Sequence, residues 1–266
     1  MDLLTAQYEL NTRRAALPPR EAAPRPAADL APVVTAVPAA PDQPLTERAA
    51  VPTRLDSLDL SWHPKVKTAV QAARNWQTLR RRQIDQERTD PAKRPFASLV
   101  LAAPNYGCGK THVALACFWS VALFDCGVPI APAGRSFMAA ALIQALDGDA
   151  PPQTQIGRRW KDDDGNQYGT PLILIDDVGT EGALEFVAER RQEAEMHARY
   201  FKVIEYCHQQ GIGVLMTSNL PLTGNGRVLA DHIGGRAWSR LLEMAPAGLM
   251  VDMSGVPDYR RKAGGR

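Results

Sequence analysis

The sequence predicts an α/β fold in which a parallel five-stranded sheet lies between helices. Three observations carry this. From Ala97 onward, short apolar runs alternate with longer stretches of helical period, and strands separated by helices pair in parallel with helices on both faces. The first of these runs leads into a glycine loop that opens a helix. The third ends in two carboxylates, at the edge where open α/β sheets bind ligands.

Order along the chain resumes near Leu55. Pro64 stands where a first helical turn tolerates proline, and Val66, Ala69, Val70, Ala73, Trp76 and Leu79 follow at spacings of three or four as one apolar stripe. Arg80, Arg81 and Arg82 close this helix as a solvated basic end, with contact to a phosphate backbone as the alternative. The expected strands are Ser98–Ala102, Ser136–Ala139, Leu172–Ile175, Val214–Thr217 and a short one at Leu249–Val251. The expected helices are Lys110–Phe124, Ala140–Leu146, Gly182–Gln209 and Leu229–Met244. Residues 147–170 interrupt the alternation with a polar, turn-rich insert.

The 266 residues carry 31 Lys+Arg against 29 Asp+Glu, a formal charge of +2, which excludes a polybasic protein. At 45% hydrophobic residues, wholesale disorder is excluded too. Between Pro18 and Pro44, eight prolines and eight alanines fill 27 positions. Proline removes backbone donors and alanine offers little area to offset ordering entropy, so residues 1–54 read as a disordered extension. Ahead of the tether, Leu3, Leu10 and Leu17 are seven apart, which fits either a frayed tail or a short partner-docking helix. Residues 55–95 lead into the core, and 96–262 form it. No secretory signal opens the chain, and Cys108, Cys117, Cys126 and Cys207 have neither metal-ligand nor disulfide-scaffold spacing, so a cytoplasmic setting is expected.

The chemistry concentrates in four segments. Pro104-Asn-Tyr-Gly-Cys-Gly-Lys-Thr111 lies between an apolar run and an apolar-periodic helix, the setting of a phosphate-binding loop, with Pro104 in place of the usual first glycine. Gly107 and Gly109 let backbone N–H groups turn inward on phosphate oxygens, Lys110 reaches the β- and γ-phosphates, and Thr111 offers a hydroxyl to Mg²⁺. In Leu172-Ile-Leu-Ile-Asp-Asp177, Asp176 is the expected metal ligand and Asp177 the group that polarises an attacking water. In the third, Val214-Leu-Met-Thr-Ser-Asn219, the side chain of Asn219, Ser218 or Thr217 reaches the γ-phosphate or the water. In the fourth, Arg236 and Arg240 are four apart on one helix face, either as a solvated basic face or as phosphate-directed arginines. Arg158, Arg159, Trp160, Lys161 and Tyr168 in the insert suit single-stranded nucleic acid, or a plain exposed hairpin. Asp162-Asp-Asp-Gly165 has the glycine at the wrong offset for a calcium loop.

These segments, in this order, resemble an AAA+ ATPase over roughly residues 55–262, closest to the bacterial helicase loaders of the DnaC type and their IstB-type transposition relatives. The resemblance implies a P-loop AAA+ core without a C-terminal lid, binding ATP and Mg²⁺. It implies nucleotide contacts from Asn105, Tyr106, Gly107, Cys108, Gly109, Lys110, Thr111 and His112, although the His112 side chain alone reads as packing or incidental. It makes Thr111 and Asp176 the metal ligands and Asp177, Asn219 and Arg240 the catalytic set, with Arg240 an arginine finger and Arg236 its companion. Val256-Pro-Asp-Tyr-Arg260 resembles the terminal sensor segment, with Arg260 on the phosphates. The implied partners are a hexameric replicative helicase, single-stranded DNA and further copies in a ring or spiral. Two rivals share the core: an ATPase that recruits a transposase to target DNA, and a nucleotide-gated adaptor with little turnover. Asp177 favours the second, being one methylene shorter than the Glu of many relatives.

Overall fold

A computed structural model describes residues 55–57, 60–90, 96–120, 134–146, 151–157, 159–161, 167–169, 172–180 and 190–259. The expected tether and the helix of residues 2–17 lie outside these, as do Arg158, residues 162–165 and Arg260.

Helix α1 (Pro64–Thr89) starts with proline in its first turn, and the His63 side chain accepts from the Lys65 backbone N–H. Its stripe is buried as expected from Val66 to Trp76, with Leu79 half-buried at the end, and Trp76 Nε1 donates to Ala97 O at 2.9 Å, fixing the helix beside the first strand. The arginine run does not end it. The helix continues to Thr89 and Arg80 is fully buried, because Gly213 leaves room: a Cβ there would stand 2.5 Å from an Arg80 guanidinium nitrogen.

Five strands form one parallel sheet, as the alternation predicts: β1 (Leu99–Ala102), β2 (Gly134–Met138), β5 (Leu172–Val178), β6 (Gly213–Ser218) and β7 (Met250–Asp252). The lateral order is β2-β5-β6-β1-β7. Every residue of β1 and β6 is buried, so layers cover both faces of the sheet. Helices α2 (Lys110–Ser120), α3 (Ala139–Ala145) and α5 (Arg190–Gln210) pack on it along with α1.

The insert contains the short helix α4 (Pro152–Ile156) and an antiparallel pair, β3 (Arg159–Lys161) with β4 (Gln167–Gly169), in which Trp160 is opposite Tyr168. The single helix expected over 229–244 is two, α6 (Leu229–Ile233) and α7 (Gly235–Met244). Gly234 breaks it with φ +84°, and His197 lies where a Cβ would stand. Among the described residues, no helix is long and apolar enough to cross a membrane.

Candidate nucleotide site

Strand β1 delivers the glycine loop to the carboxyl edge of the sheet, where Ala103 N–H donates to Ser218 O at 3.0 Å. Gly107 and Gly109 adopt φ +70° and +95°, a region open to glycine at no steric cost. Lys110 opens α2, and its ammonium is buried. It donates to Ala103 O at 3.1 Å and Asn105 O at 2.8 Å, and touches Cys108 Sγ at 3.6 Å. Among the described residues its partners are neutral; no carboxylate pairs with it. A buried cation held only by dipoles is poised for an anion, which fits a phosphate group.

The second wall comes from β5. Asp176 Oδ1 accepts from Thr111 Oγ1 at 3.0 Å and Thr217 Oγ1 at 2.5 Å. Burial pushes this carboxyl above its ordinary value; the Thr217 hydroxyl pulls it back, and neighbouring Asp177 adds to the rise. Thr111 and Asp176 are two hard oxygen donors, and among the described residues no group of three His, Cys, Asp or Glu that could hold a metal occurs. Two protein oxygens suit Mg²⁺, which completes its shell with phosphate and water.

Beyond Ile175 the strand register shifts, and Asp177 takes φ +60°. This left-handed conformation costs an aspartate about 1 kcal/mol, less than it costs a branched residue. It is held by Asp177 N–H donating to Thr217 Oγ1 at 2.9 Å. Asp177 Oδ1 accepts from Asn219 Nδ2 at 3.1 Å. Asn219 Oδ1 is buried without a partner, an acceptor left for a group that enters the site.

Lys110, Thr111, Asp177 and Asn219 share the lining of one cavity of about 420 Å³. That is ample for a small ligand. A second set of lining residues is aromatic or apolar: Trp62, Val66, Tyr106, Val113 and Tyr259.

No family model and no curated protein matches the sequence. Among solved structures, the chain is similar to the DnaC helicase loader. The identity is 18% over 75% of this chain and 97% of that one, with a TM-score of 0.44. It is similar also to DnaI (14% identity, 77% and 89% covered, TM-score 0.44). A third is a putative primosome component from Streptococcus pyogenes serotype M3 (12%, 72% and 82%, 0.43).

The structure brings together loop residues 105–112, Asp176, Asp177 and Asn219. It separates the three alternatives at the end of β6: Asn219, just past the strand, lines the cavity, Thr217 braces both aspartates, and Ser218 Oγ turns to Val178 O. His112 also lines the cavity, and partial desolvation of its ring there lowers its pKa. Cys108 is buried with Sγ donating to Asn105 O, so the loop thiol is not an exposed one. Arg236 and Arg240 are outside the lining. Arg240 Nε donates to Glu205 Oε2 at 2.6 Å and Nη1 to Glu243 Oε2 at 2.9 Å, while Arg236 lies 4.0 Å over the Phe201 ring. Sequence reasoning missed Trp62, Val66, Val113 and Tyr259. The available signal was an aromatic just ahead of the proline that starts α1, and a second inside Pro257-Asp-Tyr259.

Proposed function

We propose that the chain is an ATP-binding AAA+ protein of the helicase-loader type. It hydrolyses ATP at subunit interfaces and helps to place a replicative helicase on single-stranded DNA. The observation that carries the nucleotide half is the convergence on one cavity of a buried, neutrally partnered Lys110, a Thr111 hydroxyl bonded to Asp176 behind it, and an Asp177 carboxylate held by Asn219.

In this reading Lys110 exchanges carbonyl partners for β- and γ-phosphate oxygens, gaining charge-assisted hydrogen bonds. Backbone N–H groups at the start of α2 face the phosphates. Thr111 and Asp176 would hold Mg²⁺, which shields phosphate charge when bound. Asp177 accepts a hydrogen bond from the attacking water and takes its proton as the terminal phosphoryl group transfers. Asn219 aims that carboxylate and offers Oδ1 as a second acceptor. The base rests among Trp62, Val66 and Tyr259, where a planar ring finds aromatic surface.

What supports the client half is the order of the four motifs, which resembles the DnaC-type loaders; helicase loading is what the DnaC chain in the comparison is named for. Arg240 then acts on a neighbouring copy's nucleotide, with Arg236 beside it, and Arg260 on the phosphates of its own. Assembly is a ring or spiral around single-stranded DNA.

Two measurements test the halves separately. Calorimetric titration with ATP and Mg²⁺ shows binding that Lys110→Ala abolishes; unchanged affinity refutes the site. Capture of the full chain with ATP retains purified replicative helicase and not a transposase; the reverse selects the transposition role. One observation favours slow turnover: the position carries Asp177, one methylene shorter than a glutamate. Phosphate release near background with DNA present would identify a nucleotide-gated adaptor.

A further inference from the structure

The last described segment of the chain lies against its own phosphate loop. Tyr259 N–H donates to Gly107 O at 2.9 Å, and Asn105 Nδ2 donates to Val256 O at 3.2 Å across 151 residues. Val256 is fully buried. The Asp258 carboxylate fills the space over Gly107: a Cβ built there would stand 1.8 Å from Oδ1 and 2.3 Å from Cγ. Glycine at 107 therefore does two things. It permits φ +70°, and it leaves room for the tail.

The tail also reaches the start of α1. The Tyr259 and Trp62 rings meet edge to face, 4.9 Å between centroids at 76°. Behind them Lys65 Nζ donates to Asp252 Oδ2 at 3.1 Å and Ser254 O at 2.7 Å, tying the first turn of α1 to the strand that leads into the tail. Three segments distant in sequence thus hold one another, and each contributes to the cavity lining.

We propose that residues 256–259 form a strap across the phosphate loop, and that nucleotide binding tightens it against the start of α1. The tail and α1 then report whether the site is filled. This rests on the nucleotide-binding reading above. A ligand touching the loop, Trp62 and Tyr259 together orders all three, so their local opening is suppressed jointly. The coupling is reciprocal: whatever loosens the strap weakens the nucleotide.

Hydrogen exchange read by mass spectrometry on the full chain, with and without ATP and Mg²⁺, tests this. Peptides covering 62–66, 104–112 and 253–259 are expected to slow together. Slowing at 104–112 with none at 253–259 overturns the strap. No slowing even at 104–112 refutes nucleotide binding itself, and the strap falls with it. Tyr259→Ala removes the ring and keeps the N–H on Gly107. It is expected to abolish the response at 62–66, leave that at 104–112, and weaken ATP about three- to tenfold, the worth of one aromatic pair. Tyr259→Phe restores both. A Tyr259→Ala chain with coupling and affinity unaltered overturns the proposal. Asp258→Ala, outside the lining, is expected to speed exchange at 253–259 without nucleotide; an unchanged rate there counts against the strap.

Discussion

Two regions hold the residues that the sequence singled out, and they differ in how their polar groups are satisfied. At the carboxyl edge of the sheet capacity is left over: Lys110 rests on neutral carbonyls, and Asn219 Oδ1 is buried without a partner. On the α5–α7 face, Arg240 is forked between Glu205 and Glu243, and Arg236 covers the Phe201 ring. An unspent buried group costs stability until something binds, whereas an arginine with two carboxylates must first leave them. The cavity is built to receive. The helix face is built to hold, and any role it has toward another molecule begins with a release.

That contrast orders the expected effects. Lys110→Ala is the largest, removing two charge-assisted contacts to phosphate and lowering ATP affinity by about 100-fold or more. Retained affinity in a titration would erase the difference between the regions. Asn219→Ala comes next: ATP still binds, while single-turnover phosphate release drops about 100-fold as Asp177 loses its aim. Normal release would make Asn219 a mere spacer. Glu205→Gln sharpens the other side. If Arg240 acts beyond its own chain, the weakened pair raises concentration-dependent hydrolysis severalfold, and Arg240→Ala abolishes it. If the pair only ties α5 to α7, both variants merely melt earlier. The smallest effect is in acid. Burial would raise the Asp252 carboxyl, but hydrogen bonds from Ser254 and Lys65 outweigh it and hold it below its ordinary 3.8. A carboxyl lowered by folding stabilises above its unfolded pKa and loses that contribution as pH falls through the folded one. Melting temperature should therefore fall below about pH 4, less steeply in Asp252→Asn.

Much of this was legible because it is local. The strand–loop–helix of 98–120 and the apolar run ending in Asp176 and Asp177 are read from neighbouring residues alone. The apolar stripe of α1 carried its burial from Val66 to Trp76 in the same way. What escaped depends on distance. Arg80 looked like a solvated end because the glycine that admits it is at 213, in another strand. The break in 229–244 was signalled locally by the Gly234-Gly235 pair and was overridden by the apolar period on either side of it, while the His197 side chain from α5, which fills the space over Gly234, is visible only in three dimensions. Trp62 and Tyr259 gave no sign of sharing a cavity, since no periodicity connects opposite ends of a core. The left-handed Asp177 is likewise fixed from outside, by Thr217 of the next strand.

The order β2-β5-β6-β1-β7 has a consequence for the chain as it is made. β1 is the first strand synthesised, yet both of its neighbours are the last two, and Ser98 Oγ meets Val214 N–H across 116 residues. At ordinary translation speeds that interval is on the order of ten seconds. For the later part of it, once clear of the exit tunnel, the wholly apolar Leu99–Ala102 has neither of its two partner strands beside it. The segment that will carry the ligand loop is thus the one most in need of chaperoning, and a stalled ribosome before residue 213 leaves it bare.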